Sequence, residues 1–329
     1  MNTAIEYVLR RLGFYALAAW ASITFNFALP RMMPGDPGDA LAAQMQGRVQ
    51  PETLAAMEQA YGLSDDPIWR QYLDYLGNIF RGEFGVSTSA FPAPVLQVIQ
   101  TALWWTLLVG GVAVIISFLL GTILGMIAAW RRGSWADSVL PPFLQLIGSF
   151  PYFWLAMLAL FFLGFQWGAF PLRHAYSDEL SPAFTWEFVS SVLYHLVLPA
   201  GTIVLVSVGG WVLSMRNAMI STLSEDYVTM AEAKGLPQRR VMFSYAARNA
   251  MLPNLTQFGM ALGFVIGGSL ITEIVFSYPG LGYQLITAVG RLDYPLMQGI
   301  FLMITLAVLA ANLIVDLLYV RLDPRVRRG

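Results

Sequence analysis

Side chains able to do acid–base, nucleophilic or metal chemistry are scarce in this chain. There is no cysteine, so disulfides, thiolate metal sites and thiol catalysis are excluded. The two histidines, His174 and His195, leave little material for a metal centre. His195 begins an apolar segment and reads as an interfacial residue; His174 falls in a loop. A serine protease working inside a membrane needs a serine in a Gly-x-Ser-Gly setting and a facing histidine. Gly267-Gly268-Ser269-Leu270 fails that pattern, and His195 has no evident partner. Three polar residues lie in apolar surroundings: Glu273, Asn312 and Asp316. Intramembrane acids are pathway candidates by default. Both acids also sit near helix ends, where pairing is the simpler reading, and Asn312 suits a hydrogen bond between helices.

Composition explains the scarcity. Of 329 residues, 57% are hydrophobic and 12% charged, whereas a soluble domain is nearer a quarter charged. That much apolar surface exceeds what one core buries and fits a chain whose outside faces lipid. A net charge of −1 gives no reason to expect nucleic acid. Six stretches are long enough to span: about 12–29, 103–129, 139–167, 193–215, 255–271 and 296–320. The first follows Arg10 and Arg11 and lacks a small-residue cleavage site, so it reads as a retained helix. The third contains Pro141, Pro142 and Pro151 and should be kinked. Gly209-Gly210 and Gly267-Gly268 read as close-packing positions. With the amino terminus inside, the cytoplasmic segments carry 13 of the 19 basic residues, which favours that orientation. Both termini are then cytoplasmic.

Two loops remain. The first runs from 31 to 100, between the first helix (1–30) and a five-helix core (101–329). It carries turn signals at Pro34-Gly35-Asp36-Pro37-Gly38 and a helical pattern near 51–61, and reads as a structured external region. The second, about 216–253, is polar and reads as helix, sharp turn, helix. Ser224, with Glu225 and Asp226 after it, suits a helix start. Gly235 suits a helix end, and Pro237 the first turn of a new helix.

Within that loop lies the most specific stretch, Glu225-Asp226-Tyr227-Val228-Thr229-Met230-Ala231-Glu232-Ala233-Lys234-Gly235-Leu236, followed by Arg248-Asn249-Ala250-Met251-Leu252-Pro253. It resembles the coupling loop of ABC importer permeases, and more narrowly of the peptide-type branch (dipeptide, oligopeptide and nickel permeases, first permease subunit). Further stretches agree: Pro34-Gly35-Asp36-Pro37; Gly82-Glu83-Phe84-Gly85 with Ser87; Arg131-Arg132-Gly133-Ser134 with Asp137; Phe276 to Gly282 with Asp293-Tyr294-Pro295; and Asp316 with Leu322-Asp323-Pro324-Arg325. The resemblance covers essentially the whole chain. It departs where the general importer pattern has Glu-Ala-Ala and this sequence has Thr229-Met230-Ala231.

The resemblance implies an all-α integral membrane protein, a six-helix bundle like that of type I ABC importer permeases, in a bacterial or archaeal plasma membrane. It implies a transport subunit and not an enzyme, importing di- or oligopeptides, with oligosaccharides or nickel as alternatives. Glu225, Asp226, Tyr227, Ala231, Glu232, Ala233, Lys234, Gly235 and Leu236 would couple the chain to ATPase subunits. The implied partners are a second homologous permease, two ATPase subunits and an external binding protein. No Gly-x-x-x-x-Gly-Lys-Ser/Thr phosphate loop is present, so ATP and magnesium are expected on the ATPase chains and no cofactor here. A channel or secondary transporter is the rival class. Those usually show internal repeats or mid-membrane charge, and would leave the polar 216–253 loop without a role.

Overall fold

The computed structural model describes residues 2–32 and 66–322, with the side chains of 2–8, 29–30 and 315–322 left aside. The turn signals at 34–38, the helical pattern at 51–61 and the tail from 323 lie outside the described residues. The described chain is helical, with one isolated bridge between Val86 and Pro94. The elements are α1 (Asn2–Met32), α2 (Ile68–Arg81), α3 (Val95–Trp130), α4 (Trp135–Ser138), α5 (Leu140–Gly148) and α6 (Tyr152–Ala159), which widens into a π-helical turn at Leu160–Gln166. Next come α7 (Trp186–Leu223), α8 (Asp226–Ala233), α9 (Gln238–Arg240), a second π segment at Val241–Ala247, α10 (Arg248–Gly268), α11 (Leu270–Val275), α12 (Leu281–Gly290) and α13 (Tyr294–Leu322).

Among the described residues, four helical runs are long and apolar enough to cross a membrane: Val95–Trp130, Trp186–Leu223, Gln238–Gly267 and Tyr294–Ile314. The bent pair Trp135–Gly148 and Tyr152–Gln166 makes a fifth if counted as one span. Six spans were expected. The remaining one, α1, is long enough, but its described length carries Arg10, Arg11 and Asn26. The kink expected in the third span is a break of 94° between Gly148 and Tyr152. Pro151 accounts for it, since it has no amide hydrogen to continue the ladder and precedes the first turn of α6. The fifth span begins at 238, well before the expected 255, because its first turns are polar on one side.

The chain divides into two compact units, residues 1–106 with 279–329, and residues 107–278. In the second unit, α7 is the central post, packed by α5, α6 and α10. The helices approach closely where side chains are absent. A Cβ on Gly121 would stand 2.2 Å from the Trp211 Cβ, and one on Gly125 2.5 Å from the Val212 carbonyl oxygen. Small residues do this in membranes because lipid tails supply no hydrophobic drive between helices, so van der Waals contact must. Gly209 has the packing role expected of it, with the Leu144 backbone 2.8 Å from where its Cβ would stand; Gly210 faces open space.

In the first unit, α1 packs along α13. Asn26 Nδ2 donates to the Gln298 carbonyl at 2.7 Å and to the Tyr75 hydroxyl at 3.1 Å. The Gly82–Ser87 and Asp293 motifs, far apart in sequence, meet here. Asp293 is fully buried, and its Oδ2 accepts from Ser87 Oγ, from the Ser89 amide at 2.9 Å and from Ser89 Oγ at 2.7 Å. Its Oδ1 accepts from the Leu296 amide at 3.1 Å, in the first turn of α13. A buried carboxylate is tolerated because four donors replace its water.

Two outcomes follow. Gly125→Val should drive α3 and α7 apart and cost about 1–3 kcal/mol, read as a lower melting temperature of the extracted chain. Asp293→Ala leaves its donors unmatched and should cost at least about 3 kcal/mol, whereas Ser87→Ala, which leaves two donors on Oδ2, should cost about 1 kcal/mol in the same assay.

Candidate functional site

Thirty-eight residues of α7 end at Ser224, whose hydroxyl donates back to the Ser221 carbonyl at 2.8 Å. Ser224 therefore closes α7 and does not cap the next helix, as its type had suggested. Glu225 takes the cap position of α8 with extended backbone, and Asp226 lies in the first turn. An acid there is favourable against the partial positive charge of the helix start.

The end of α8 is built by Gly235. Its φ is +73°, a left-handed value that costs a side-chain-bearing residue strain. The Gly235 amide donates to the Glu232 carbonyl at 2.8 Å, and the Leu236 amide reaches the Ala231 carbonyl at 3.4 Å. This is the paired-bond helix stop that satisfies the last carbonyls. Nothing lies within 4 Å of where a Gly235 Cβ would be. The glycine is thus required by its dihedral angle. Pro237 stands one place before α9, at its cap, and the Arg240 amide donates to its carbonyl at 2.8 Å.

An eight-residue helix is marginal alone, so what holds α8 is burial of one edge. Val228 and Ala231 point into a cluster of Met126 and Ala129 from α3, Met215 and Met219 from α7, and Val241, Met242 and Ala246 from the returning helix. Leu236 packs on the same cluster. Methionine fits such a seat because its unbranched chain fills irregular gaps. Asn249 Nδ2 donates to the Tyr227 hydroxyl at 2.8 Å, tying α8 to the start of α10. The opposite side is open. Asp226, Tyr227, Thr229, Met230, Glu232, Ala233 and Lys234 are all exposed, Met230 by 60%. A cleft of about 390 Å³ is lined by Thr122 and Met126 of α3, Met215 of α7, and Phe243, Ser244, Ala247, Arg248 and Met251 of the returning helix.

Two polar ties that the sequence did not disclose brace this end of the unit. Asp137 accepts from Arg216 Nε at 2.5 Å and from the Gly133 amide at 2.9 Å, so the Arg131–Asp137 motif is a turn locked onto α7. Asn254 is fully buried; it accepts from Ser214 Oγ at 2.6 Å and reaches Thr122 Oγ1 at 3.5 Å. The signal that existed was a polar residue in apolar sequence, but its partner lies 40 or more residues away.

The nine residues expected to couple fall in two runs, 225–227 and 231–236, and one short helix, its cap and its stop carry them all. The pathway candidates lie elsewhere. Glu273 is fully buried in α11 and accepts from Ser269 Oγ at 2.6 Å. Asn312 is partly exposed on α13, and the Asp316 side chain is outside the described residues. A hydroxyl group of three was missed: Tyr152 lies 3.0 Å from Thr202 and 2.7 Å from Thr272. Sequence spacing could not find it, since each comes from a different helix.

Long apolar helices joined by a short polar helical loop define a polytopic membrane protein. Residues 121–328 match the family described as "Binding-protein-dependent transport system inner membrane component", and residues 4–109 match its N-terminal membrane component. The chain belongs to that family and is a transport subunit, not an enzyme. It is 34% identical to the dipeptide transport system permease protein DppB of Escherichia coli (strain K12), over 98% of this chain and 99% of the relative. It is 35% identical to the di/tripeptide transport system permease protein DppB of Pseudomonas aeruginosa (strain UCBPP-PA14), over the same shares. Identity to the oligopeptide transport system permease protein AppB of Bacillus subtilis (strain 168) is 31%, over 97% and 98%.

The two sides of α8 should separate by mutation. Val228→Asp puts an unpaired charge into the seat and should cost about 3 kcal/mol or more, seen as proteolysis within the loop. Met230→Asp on the open side should leave stability within about 0.5 kcal/mol.

Proposed function

We propose that this chain is one of two permease subunits of an ATP-driven importer for di- or oligopeptides. The peptide assignment rests on the full-length relatives whose names carry dipeptide, di/tripeptide and oligopeptide transport. Two ATPase subunits and an external binding protein complete the assembly. All six apolar segments cross the membrane, α1 included, and both termini are cytoplasmic; the bias of 13 of 19 basic residues to that side supports this.

The observation that carries the mechanism is the two-sidedness of α8. Its inner edge is fastened to three helices of the unit, while Tyr227, Met230 and Ala233 present an open apolar edge bordered by Asp226, Glu232 and Lys234. A helix so mounted transmits a push from an ATPase subunit seated on the open edge, because displacing it displaces α3 and α7. ATP drives the cycle only through its different affinity for the assemblies with these loops apart and together. Nucleotide and magnesium sit on the ATPase chains, and this chain needs no cofactor of its own. Glu225 and Asp226 set the start of α8, and Gly235 with Leu236 sets its end.

The test is recovery of partners with the tagged chain from native membranes. A second permease and ATPase chains are expected to co-purify. Met230→Asp should lose the ATPase chains and keep the second permease. Gly235→Val, strained by about 1–3 kcal/mol at that dihedral, should lower ATP-driven uptake of a dipeptide while the chain stays inserted. Recovery of the wild-type chain alone, with uptake insensitive to ATP depletion, would sink the importer reading.

A further inference from the structure

The 14-residue helix α2 buries none of its residues, yet eight of them are aliphatic or aromatic. At about 100° per residue, Trp69, Leu73, Leu76 and Phe80 fall within about 60° of arc. Trp69 is 61% exposed, Leu73 56% and Phe80 87%. Arg70, Asp74, Asn78 and Arg81 occupy the side roughly opposite. Tyr72 and Tyr75 fall on a third side, about a quarter-turn from the apolar stripe, and that side meets α1. Tyr72 shares a hydrogen bond of 2.7 Å with Thr24, and the Tyr72 and Tyr75 rings lie 5.2 and 5.4 Å from the ring of Phe27.

These contacts come from one turn of α2, at Gln71–Tyr75, while Phe80 projects beyond them. The height of this contact follows from α1. Twenty residues separate Arg11 from Arg31, about 30 Å of helix, which is the thickness of a bilayer's hydrocarbon. Arg31 therefore marks the far boundary. It donates to Gln71 Oε1 at 2.9 Å and lies 3.6 Å above the Phe27 ring. So α2 is pinned at the level of the headgroups, beside an α1 surface where Trp20 and Phe25 are themselves exposed.

We propose that α2 lies in the interface of the outer leaflet, with the Trp69, Leu73, Leu76 and Phe80 stripe in phospholipid and Asp74 and Asn78 in water. The three sides fit that posture together: α1 upright at the flank, lipid below, solvent above. Low overall apolarity with a strongly one-sided distribution is the mark of a helix that lies on a membrane and does not cross it. Trp69 beside Arg70, whose guanidinium stands 5.7 Å from the indole, suits the headgroup level. The inference rests on the reading that α1 crosses with its amino terminus inside.

The cysteine-free chain makes the test direct. Leu73→Cys, Phe80→Cys, Asp74→Cys and Asn78→Cys variants carry a nitroxide in the full transporter, reconstituted in phospholipid nanodiscs. Collision with oxygen should exceed collision with a water-soluble nickel complex at 73 and 80, and the order should reverse at 74 and 78. Water-like values at all four positions would overturn the proposal. Shielding of 73 and 80 from both agents, with or without added binding protein, would show a protein cover and overturn it too. An impermeant maleimide added to right-side-out vesicles should label Cys at 78; failure there would overturn the leaflet and the orientation while leaving the depth measurement intact. Neither readout uses ATP or peptide, so failure of the importer reading would leave this result untouched.

Discussion

Inside hydrocarbon a backbone N–H or C=O has no water to turn to, and each one left open costs several kcal/mol. Two breaks between described helices obey that constraint. The break between α5 and α6 is closed by the Ser149 amide on the Gln145 carbonyl at 3.0 Å and the Ser149 hydroxyl on the Leu146 carbonyl at 2.7 Å. The break at Ser269 is closed by the Glu273 amide on the Ser269 carbonyl at 3.0 Å, with the Ser269 hydroxyl on the Glu273 carboxylate. At the first of these breaks the serine side chain takes up a carbonyl of the helix that ends there.

The same economy shapes the contacts between helices. Lipid is as apolar as leucine, so association depends on close fit and on buried polar pairs. Gly121 and Gly125 supply the fit between α3 and α7. Asp137 with Arg216, Asn254 with Ser214, and Asp293 with Ser87 and Ser89 supply the pairs. Each pair spans elements distant in sequence, which fixes register as well as proximity. The Asp137 and Asn254 pairs brace the second unit around α7, and the Asp293 pair braces the first unit.

Helix existence was readable because it follows from local quantities, namely apolar length, proline and glycine. The helix and sharp turn of residues 225–236 were readable for the same reason: the helix starts from its own first residues and its stop depends on one glycine dihedral. Boundaries were less readable. The helix expected to begin at Pro237 runs on into the fifth span, expected only from 255, and Ser224, a good helix starter by type, was claimed by the end of α7. The role of Gly235 was half legible, its turn but not its empty surroundings.

The sequence alone thus determined the apolar segments and the helix-turn-helix of the polar loop, because burial in lipid and helix capping act over a few residues at a time. Tertiary structure alone decided which polar residues are partners. Glu273 became a buried acceptor beside Ser269, Tyr152 came between Thr202 and Thr272, and Asp293 gathered a loop more than 200 residues away. Those choices depend on which helix faces lie together, and a hydroxyl or carboxylate in an apolar run carries no mark of the residue across the gap that will satisfy it.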